Sequence, residues 1–565
     1  MNAEVKVAGA ASPASDDTSR KLQTISKYLQ KKVKPCIDDT NGGGVHVQSD
    51  ERLKRGDEII SCHALAMALD PPHRHLCAYC ACPCNTTCSN PTTSRCEQCF
   101  VVSICQKCKD HGVDRWHEES GECMALSCLV RAHYELFSGG GEKKYGQHQP
   151  VSLEMANEVD SSYILTIRIM LRRWSDCQQK LKLELESPLP SVAWSLLDEL
   201  YTADLGTTPD ERQHYDAAVT ELCRIMRESF VLPVVQDGDG SNSRDESCWI
   251  NKTDFDDIMG KVVGCGHAVT DVTVSLGCQC LGRALFLEHS FYNHCCLPNA
   301  FLSCHIENGE METETETVKC CALTARVHCM HDVEEGKPIT ISYIPTSGLD
   351  CNERRQRLHQ SYDFTCNCEV CERKTPLAKQ LDECVCLPEG SDVDAIRQLQ
   401  FSCNEQILEI QKMNGGGSME DLNEEQMNEL QCCLSTIQMN KRGIRNQGIP
   451  KSHEVSIESH RLLAAALSLS GEMEESLKEH AMFLAATKSI QGIFDPVALA
   501  TSLMEYAQDL VKAGDDDKRL PILATVLENA RSALGKDHQF VRSIETSMKS
   551  TDKREAKRQR MEKID

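Results

Sequence analysis

Closely spaced cysteines are the residues of this chain best suited to chemistry. Ten of its 34 cysteines lie between Cys77 and Cys123. Three pairs in this block have only two residues between them, a spacing that presents two thiolates to one metal ion. Zn²⁺ takes four Cys or His ligands, so eight ligands predict two zinc ions, and a block so poor in apolar residues would depend on them to fold. The predicted ligands are Cys77, Cys80, Cys96, Cys99, Cys105, Cys108, His117 and Cys123.

The composition is typical of an acidic globular protein with several domains. The 565 residues, 40% of them hydrophobic, predict roughly three or four modules. A net charge of -24 argues against a general nucleic-acid binder and favours basic partners. No apolar stretch reaches the ~18 residues needed to span a bilayer, and the first residues lack the pattern of a secretory signal. We therefore expect a cytoplasmic and/or nuclear protein, in which cysteines are metal ligands or free thiols rather than disulfides.

Hydrophobic periodicity predicts the elements that position these residues in the first two thirds of the chain. Residues 1–36 are polar and predict a flexible leader. A glycine turn at 41–44 and short strands on either side of residue 50 follow. Apolar residues recur at helical spacing within 151–230, and short strands and loops are predicted for 260–345.

Beyond residue 395 the pattern is helical almost throughout. Antiparallel helix pairs of this kind predict a tetratricopeptide-like array. The basic run at 553–560 is most simply a solvated helix end, with a nuclear import signal as the alternative. The predicted amphipathic helices lie near 454–470, 472–489, 496–512, 517–534 and 538–550.

The order of the cysteines between 77 and 123 resembles the MYND zinc finger, with its pattern C-x2-C, C-x2-C, C-x3-C and W-x2-H-x3-C. The resemblance implies interleaved ligation, in which one ion is held by Cys77, Cys80, Cys105 and Cys108. The second ion would then be held by Cys96, Cys99, Cys123 and a histidine.

The eighth ligand departs from the family pattern. Glu119 occupies the expected histidine position, and His117 lies two residues before it. We take His117 as the eighth ligand; the alternatives are His111, Cys82, Cys84 and Cys88.

Three motifs further along resemble SET-domain protein lysine methyltransferases. Residues 293–299, NHCCLPN, are similar to the signature N-H-S-C-x-P-N, with Cys295 in place of serine. Residues 333–343, VEEGKPITISY, look like the segment I-x-x-G-E-E-L-x-I-x-Y, which ends on a tyrosine. Residues 354–371 match the post-SET ending R-x3-L-x3-Y-x-F-x-C-x-C-x2-C.

The resemblance implies a third zinc ion and a binding site for S-adenosylmethionine. The third ion would be held by Cys296, Cys366, Cys368 and Cys371, with buried thiols as the alternative for the last three. The cofactor would contact Asn293 and His294, and its adenine ring would pack on Phe364. A family segment G-R-G-L, which also contacts the cofactor, corresponds to residues 42–45, GGGV, from which we take Gly43 and Gly44. The family's asparagine contact has no counterpart at 263–268.

Tyr343 corresponds to the family's catalytic tyrosine at the end of a narrow lysine channel. The implied reaction is an in-line displacement on a sulfonium methyl group by a neutral amine. Free lysine has a pKa of about 10.4, so the site must favour the deprotonated amine. A nearby sulfonium and an apolar channel both act in that direction. The hydroxyl of Tyr343 would orient the methyl group or the amine rather than act as a strong base.

Together these motifs resemble the SET-and-MYND (SMYD) family, and residues 534–539, LGKDHQ, are similar to its final-repeat segment L-G-x-D-H-P. The implied fold class is α+β: a SET-domain fold of short β-sheets with an inserted MYND zinc finger, a post-SET zinc site and an α-helical tetratricopeptide-like C-terminal domain. The expected divisions are a flexible leader at 1–36, the N-terminal part of the SET domain at 37–70, the MYND-type finger at 71–125, a helical SET insert with a polar loop at 126–260, the core SET domain at 261–350, the post-SET motif at 351–375, the helical domain at 376–550 and a basic tail at 551–565.

The function implied is an S-adenosylmethionine-dependent protein-lysine N-methyltransferase acting on a histone or non-histone lysine. The alternative is a catalytically degenerate scaffold that binds peptides through its zinc finger and helical repeats. A thiol-based redox or metal-storage protein is a third interpretation, but buried free cysteines explain the scattered cysteine pairs more simply. Neither nucleic acid nor membrane is an expected partner.

Overall fold

The chain is described by a computed structural model that combines helices with short, mostly antiparallel sheets. No helix within the described ranges is long and apolar enough to cross a membrane. The described residues are 13–29, 32–38, 44–82, 95–137, 150–179, 192–205, 209–229, 250–271, 279–305, 310–312, 317–319, 323–346, 348–362, 364–413, 423–488 and 496–549.

The strands belong to small sheets that join distant parts of the chain. Two three-stranded antiparallel sheets have the orders β3-β11-β8 and β4-β6-β5, so strands from before the zinc block pair with strands from after the helical insert. Two hairpins, β1-β2 and β9-β10, and one parallel pair, β7-β12, complete the set within the described residues. The strands are β1 (Val33–Asp38), β2 (Gly44–Ser49), β3 (Glu58–His63), β4 (Ala66–Leu69), β5 (His267–Asp271), β6 (Gln279–Leu285), β7 (Asn293–His294), β8 (Ala300–His305), β9 (Glu310–Glu312), β10 (Thr317–Lys319), β11 (Thr324–Cys329) and β12 (Thr340–Ile341).

Most of the described helices belong either to an insert between the strands or to a C-terminal array, while α1 precedes the first strand and α10 follows the last. Up to the post-SET motif they are α1 (Pro13–Ser26), α2 (Gln106–Asp110), α3 (Val113–Glu119), α4 (Glu122–Phe137), α5 (Leu153–Glu158), α6 (Ser161–Gln179), α7 (Trp194–Asp198), α8 (Pro209–Ser229), α9 (Lys252–Cys265) and α10 (Cys351–Tyr362). The array comprises α11 (Pro376–Glu383), α12 (Val393–Met413), α13 (Glu424–Asn446), α14 (Glu454–Leu469), α15 (Met473–Lys488), α16 (Pro496–Lys512), α17 (Asp516–Leu534) and α18 (539–549).

The five predicted helices beyond residue 453 agree with the structure to within one residue at each end. Periodicity succeeds here because each helix buries one apolar stripe against its neighbours, as Leu503 and Leu523 do in a shared core. At the start of α13, Asn423 and Gln426 form a reciprocal capping box, which satisfies amides that the helix leaves free. This array packs on the sheet, where α17 contacts β8 and β11.

The structure differs from the flexible leader expected at 1–36. Helix α1 and the start of β1 lie in this segment, and Ile25 of α1 is fully buried in the main hydrophobic core. Lys21 also forms an ion pair with Glu199 at 3.7 Å. The polar composition did not predict this helix, because a short amphipathic segment needs only one buried isoleucine and a few neighbours to pack against the core.

Candidate active site and metal centres

The first cysteine group has the spacing that a tetrahedral zinc ion requires. The ligand atoms of Cys77, Cys80, Cys105 and Cys108 all lie within 4.8 Å of one another. Cys108 Sγ is 3.6 Å from Cys77 Sγ and 3.6 Å from Cys80 Sγ. Sulfurs bound about 2.3 Å from one tetrahedral zinc ion would be about 3.8 Å apart. Donor set and spacing therefore both fit Zn²⁺.

Local backbone structure creates this group. Cys77 and Cys80 lie in a tight turn closed by a 2.9 Å hydrogen bond from the Ala81 amide to the Cys77 carbonyl. Cys105 is the N-cap residue of α2, and Cys108 lies one turn into that helix. Cys105 and Cys108 have two residues between them where the family pattern has three, and the helical turn still directs both sulfurs into the group.

The second group brings together Cys96, Cys99, His117 and Cys123, again within 4.8 Å. Cys96 Sγ lies 3.4 Å from Cys123 Sγ, and His117 Nε2 lies 3.7 Å from Cys99 Sγ. A Cys₃His set at these separations also fits zinc. The ring of His117 directs Nε2 at the thiols, which leaves Nδ1 to bond elsewhere.

Other candidates for the eighth ligand lie apart from this group. Glu119 forms a surface ion pair with Arg115 at 2.8 Å. His111 bonds through Nδ1 to a backbone carbonyl of its own helix. Cys82 lies beside the first group, where its carbonyl accepts a hydrogen bond from the Cys77 amide. Cys84 and Cys88 lie outside the described residues.

Sequence reasoning missed the carboxylate that orients His117. His117 Nδ1 donates to Glu122 Oε2 at 2.6 Å, and Arg168 Nε donates to Glu122 Oε1 at 2.8 Å. Tyr79 donates a further hydrogen bond to the same carboxylate. Burial would raise the pKa of Glu122, but Arg168 and His117 outweigh it and hold that pKa at about 2. A buried, charged carboxylate behind a ligating histidine fixes the ring and its tautomer.

The third group joins the signature loop to the post-SET tail. Cys296, Cys366, Cys368 and Cys371 have their sulfurs within 4.8 Å, and the Sγ atoms of Cys296 and Cys371 are 3.5 Å apart. Hydrogen bonds to the carbonyls of this group hold it in place, from Thr346 to Cys296 at 3.1 Å and from Arg355 to Cys366 at 3.0 Å. Four cysteines so arranged can hold one zinc ion.

The signature strand β7 is held by β12. Asn293 pairs with Thr340 and His294 with Ile341 in a short parallel ladder. Asn299, the last residue of the motif, accepts a hydrogen bond from the Thr340 amide at 2.9 Å and donates one to the Pro338 carbonyl at 2.8 Å. Asn299 therefore fixes the segment that leads to Tyr343, a role that the motif alone did not indicate.

His294 links the third cysteine group to Tyr343. Its Nδ1 accepts a hydrogen bond from the Tyr343 amide at 3.1 Å, so the proton of the neutral ring lies on Nε2. Nε2 is 3.3 Å from Cys296 Sγ. Burial lowers the pKa of His294 to about 4. The ring is thus neutral, and its orientation is set by both neighbours.

Aromatic rings surround Tyr343. The centroids of Tyr362, His294 and Phe364 lie 4.9, 5.4 and 6.2 Å from that of Tyr343. His294 and Phe364 also contact each other, with centroids 5.9 Å apart. Two predicted cofactor-binding side chains and the predicted catalytic tyrosine therefore form one cluster.

The hydroxyl of Tyr343 is a hydrogen-bond donor. It donates to the Tyr292 carbonyl at 2.7 Å, and burial raises the pKa of Tyr343 above its ordinary value. The phenol is protonated at neutral pH, which suits a positioning role and not that of a base. Of the predicted glycine contacts, Gly44 begins β2, and Gly43 lies outside the described residues.

Comparison with known proteins gives short sequence matches and no matching family model. Histone-lysine N-methyltransferase ASHR2 of Arabidopsis thaliana is 30% identical over 88 residues, which are 16% of this chain and 20% of that protein. A SET and MYND domain-containing protein of Dictyostelium discoideum is 33% identical over 90 residues, 16% of this chain and 14% of that protein. The matched stretch thus spans a fifth or less of each of these relatives.

The structural match to a solved SET domain, that of LSMT bound to lysine and AdoHcy, covers 91% of this chain and 93% of the LSMT chain. The identity is 11% and the TM-score is 0.27, which is too low to establish a shared fold. The sequence matches and the three cysteine groups, found together in one mixed helix-and-sheet chain, confirm the resemblance to SET-and-MYND proteins that the motifs predict.

Proposed function

We propose that this protein is an S-adenosylmethionine-dependent protein-lysine N-methyltransferase. The observation that carries the proposal is the cluster in which Tyr343 contacts both His294 and Phe364, next to the third cysteine group. The methyltransferase names of the sequence relatives support the same reaction class. A lysine-bearing protein is the proposed second substrate, with histones as one class to test, in the cytoplasm and/or nucleus.

The proposed roles follow from this geometry. Asn293, His294 and Phe364, with Gly43 and Gly44 of the glycine turn, would bind the cofactor, which supplies an electrophilic methyl group. The three cysteine groups would hold three zinc ions, and the third would keep Phe364 beside His294. Tyr343 would position the reacting groups through its fixed hydroxyl.

The chemistry needs little more than alignment. The cofactor, when bound, would supply a methyl group whose carbon–sulfur bond breaks as the neutral lysine nitrogen takes the carbon, and the methylated amine would release one proton to solvent. Rings around Tyr343 exclude water, which favours the neutral amine over the ammonium ion. Holding amine, methyl carbon and sulfur in line is the main contribution that such a site makes.

The proposal is tested by calorimetry of S-adenosylmethionine binding to the full, zinc-loaded chain, which requires no knowledge of the substrate. We expect one cofactor bound per chain with micromolar affinity, and loss of that binding in Phe364→Ala. Phe401→Ala, which truncates a phenylalanine that is 65% exposed on α12, is the matched control and should bind normally.

Absence of binding by a folded protein with a full complement of zinc would contradict the proposal. The scaffold alternative, in which the zinc finger and the helical array bind peptides, would then take its place.

A further inference from the structure

Cys295 is a fifth thiol beside the third cysteine group. It directly precedes Cys296 and stands where the SET signature has serine. Its thiol is in hydrogen-bonding contact with the thiol of Cys368, one of the four cysteines that form the group. A tetrahedral zinc ion takes four ligands, so the group is complete without Cys295. This chain therefore places one more thiol at the site than zinc requires.

The backbone holds Cys295 and Cys368 in this arrangement. The Cys295 amide donates a hydrogen bond to the Ile341 carbonyl at 3.0 Å, which continues the ladder between β7 and β12. The Cys368 carbonyl accepts a hydrogen bond from the Glu372 amide, also at 3.0 Å. Two thiols that are in contact on fixed backbones need only a small side-chain rearrangement to form a disulfide.

Solvent reaches this pair of thiols more readily than the other three. Cys295 and Cys368 are both partly exposed, whereas Cys296, Cys366 and Cys371 are buried. A cysteine that ligates zinc is a thiolate, which is the nucleophilic form of the side chain. Oxidation of cysteine follows thiolate character and exposure. Cys368 is therefore the ligand of this group that a dissolved oxidant reaches first, and Cys295 is the free thiol next to it.

We propose that Cys295 and Cys368 form a disulfide when the protein is exposed to a peroxide, and that the third cysteine group then loses its zinc ion. The Cys368 thiolate attacks one oxygen of the peroxide, the oxygen–oxygen bond breaks, and a sulfenic acid and a hydroxide ion form. The Cys295 thiol then attacks the sulfenic sulfur. The sulfur–sulfur bond forms, and the hydroxyl group leaves as water with the thiol proton. Each sulfur is oxidised by one electron, and the peroxide is reduced by two.

The disulfide removes one ligand from the group. The thiolate is the form of cysteine that binds metals, so Cys296, Cys366 and Cys371 would remain as three ligands for an ion that takes four. Phe364 lies two residues before Cys366, and its ring centroid is 5.9 Å from that of His294. Loosening of this tail would separate the two rings and weaken cofactor binding. This last consequence rests on the proposed methyltransferase function, whereas the disulfide and the loss of zinc do not.

A comparable thiol beside the first cysteine group provides a matched control. Cys82 is partly exposed and contacts Cys80, but Cys80 and the other three cysteines of that group are all buried. An oxidant therefore reaches the ligands of the first group less readily than it reaches Cys368. We expect removal of the Cys82 thiol to leave the response to peroxide unchanged.

The test is treatment of the full, zinc-loaded chain with hydrogen peroxide, followed by disulfide mapping by mass spectrometry and by zinc release to a chromogenic chelator. We expect wild-type protein to form the Cys295–Cys368 disulfide and to release one zinc ion per chain as it forms. Dithiothreitol and added zinc should reverse both changes. Cys295→Ser, which restores the serine of the signature, should release this ion about tenfold more slowly, because every other thiol of the group is itself a zinc ligand and cannot condense with the sulfenic acid. Cys82→Ser should behave as wild type.

Two results would overturn the inference: no Cys295–Cys368 disulfide in oxidised wild-type protein, or equal rates of zinc release in wild type and Cys295→Ser. The first result is obtained without any variant, so it stands even if Cys295→Ser folds poorly. Neither measurement involves S-adenosylmethionine. Failure of the proposed function, which is seen when the reduced, zinc-loaded protein does not bind the cofactor, is therefore a separate outcome.

Discussion

His117 donates a hydrogen bond from Nδ1 to the buried carboxylate of Glu122 at 2.6 Å, while its Nε2 faces the second cysteine group. Arg168 of α6 binds the other oxygen of Glu122 and also donates to the Ala78 carbonyl at 2.7 Å, next to the first cysteine group. The two cysteine groups of the finger and the helical insert are therefore joined through one charged network. We therefore expect zinc binding by the second group and packing of the helical insert to depend on each other.

Replacing Glu122 by glutamine should weaken the second zinc site. The substitution removes the charge that orients His117, and loss of such a partner typically lowers metal affinity about 10- to 100-fold. We expect one zinc ion per chain to pass to a chromogenic chelator at a lower chelator concentration than in wild type. Glu119→Gln, in the exposed neighbour paired with Arg115, should have no effect. Identical release curves for Glu122→Gln and wild type would contradict the role given to Glu122.

Replacing Cys368 by serine should release one zinc ion and loosen the post-SET tail. Serine is a poor zinc ligand, and three remaining cysteines would hold the ion weakly. Elemental analysis should show two zinc ions where the three cysteine groups predict three. Cys386→Ser, in an exposed cysteine of the helical domain, serves as the control. Unchanged zinc content in Cys368→Ser would refute the four-cysteine site.

Replacing Tyr343 by phenylalanine should slow methyl transfer while leaving cofactor affinity within about twofold of wild type. The ring contacts with His294 and Phe364 remain, but the hydroxyl that fixes the ring on the Tyr292 carbonyl is lost. A displacement of about 1 Å at a reacting centre can cost ~100-fold in rate, so we expect a decrease of at least about tenfold. Turnover and calorimetric affinity are compared with those of Tyr28→Phe, which removes an exposed hydroxyl bonded to Ser195. Equal losses of binding and activity would show that Tyr343 acts in cofactor binding.

The features that could be predicted from the sequence are those encoded locally. The turn between Cys77 and Cys80 and the stripes of the C-terminal helices depend on residues a few positions apart, so spacing and periodicity were sufficient. Spacing alone does not predict that Cys296 joins the post-SET cysteines, because the residues are far apart in the sequence. That prediction came from the resemblance of the Asn-His signature to known proteins.

The features that could not be predicted depend on contacts between distant residues. Glu122 and Arg168 are 46 residues apart and belong to different helices. The rings of His267 and Tyr343 have centroids 6.3 Å apart, although β5 and β12, the strand before Tyr343, belong to different sheets. Composition also did not predict α1, since the burial of Ile25 depends on core residues that are distant in the sequence.

A histidine cluster lies where the helical array docks on the sheet. His305 of β8 and His538 contact each other edge-on, with centroids 4.7 Å apart. Gly535, at φ +78°, approaches so closely that a Cβ atom there would lie 2.6 Å from Nε2 of His328. Burial is the main cause that lowers the pKa of His305 to about 2 and that of His328 to about 4, and Arg326 and His538 add to both effects.

These histidines should make the protein less stable as the pH falls below about 6.5, the ordinary pKa of histidine. Their pKa values are lowered by folding, so between pH 6.5 and 4 the unfolded chain binds more protons than the folded one. The stabilisation is complete above pH 6.5, and each histidine removes up to about 1.4 kcal/mol per pH unit below it. We expect urea denaturation of the full chain at pH 7.5, 6.5 and 5.5 to show a steep loss over the last step. The double variant His305→Gln/His328→Gln should have a shallower slope there, and Glu119→Gln, at an exposed carboxylate, should keep the wild-type slope. An unchanged slope in the double variant would show that other groups account for the acid sensitivity.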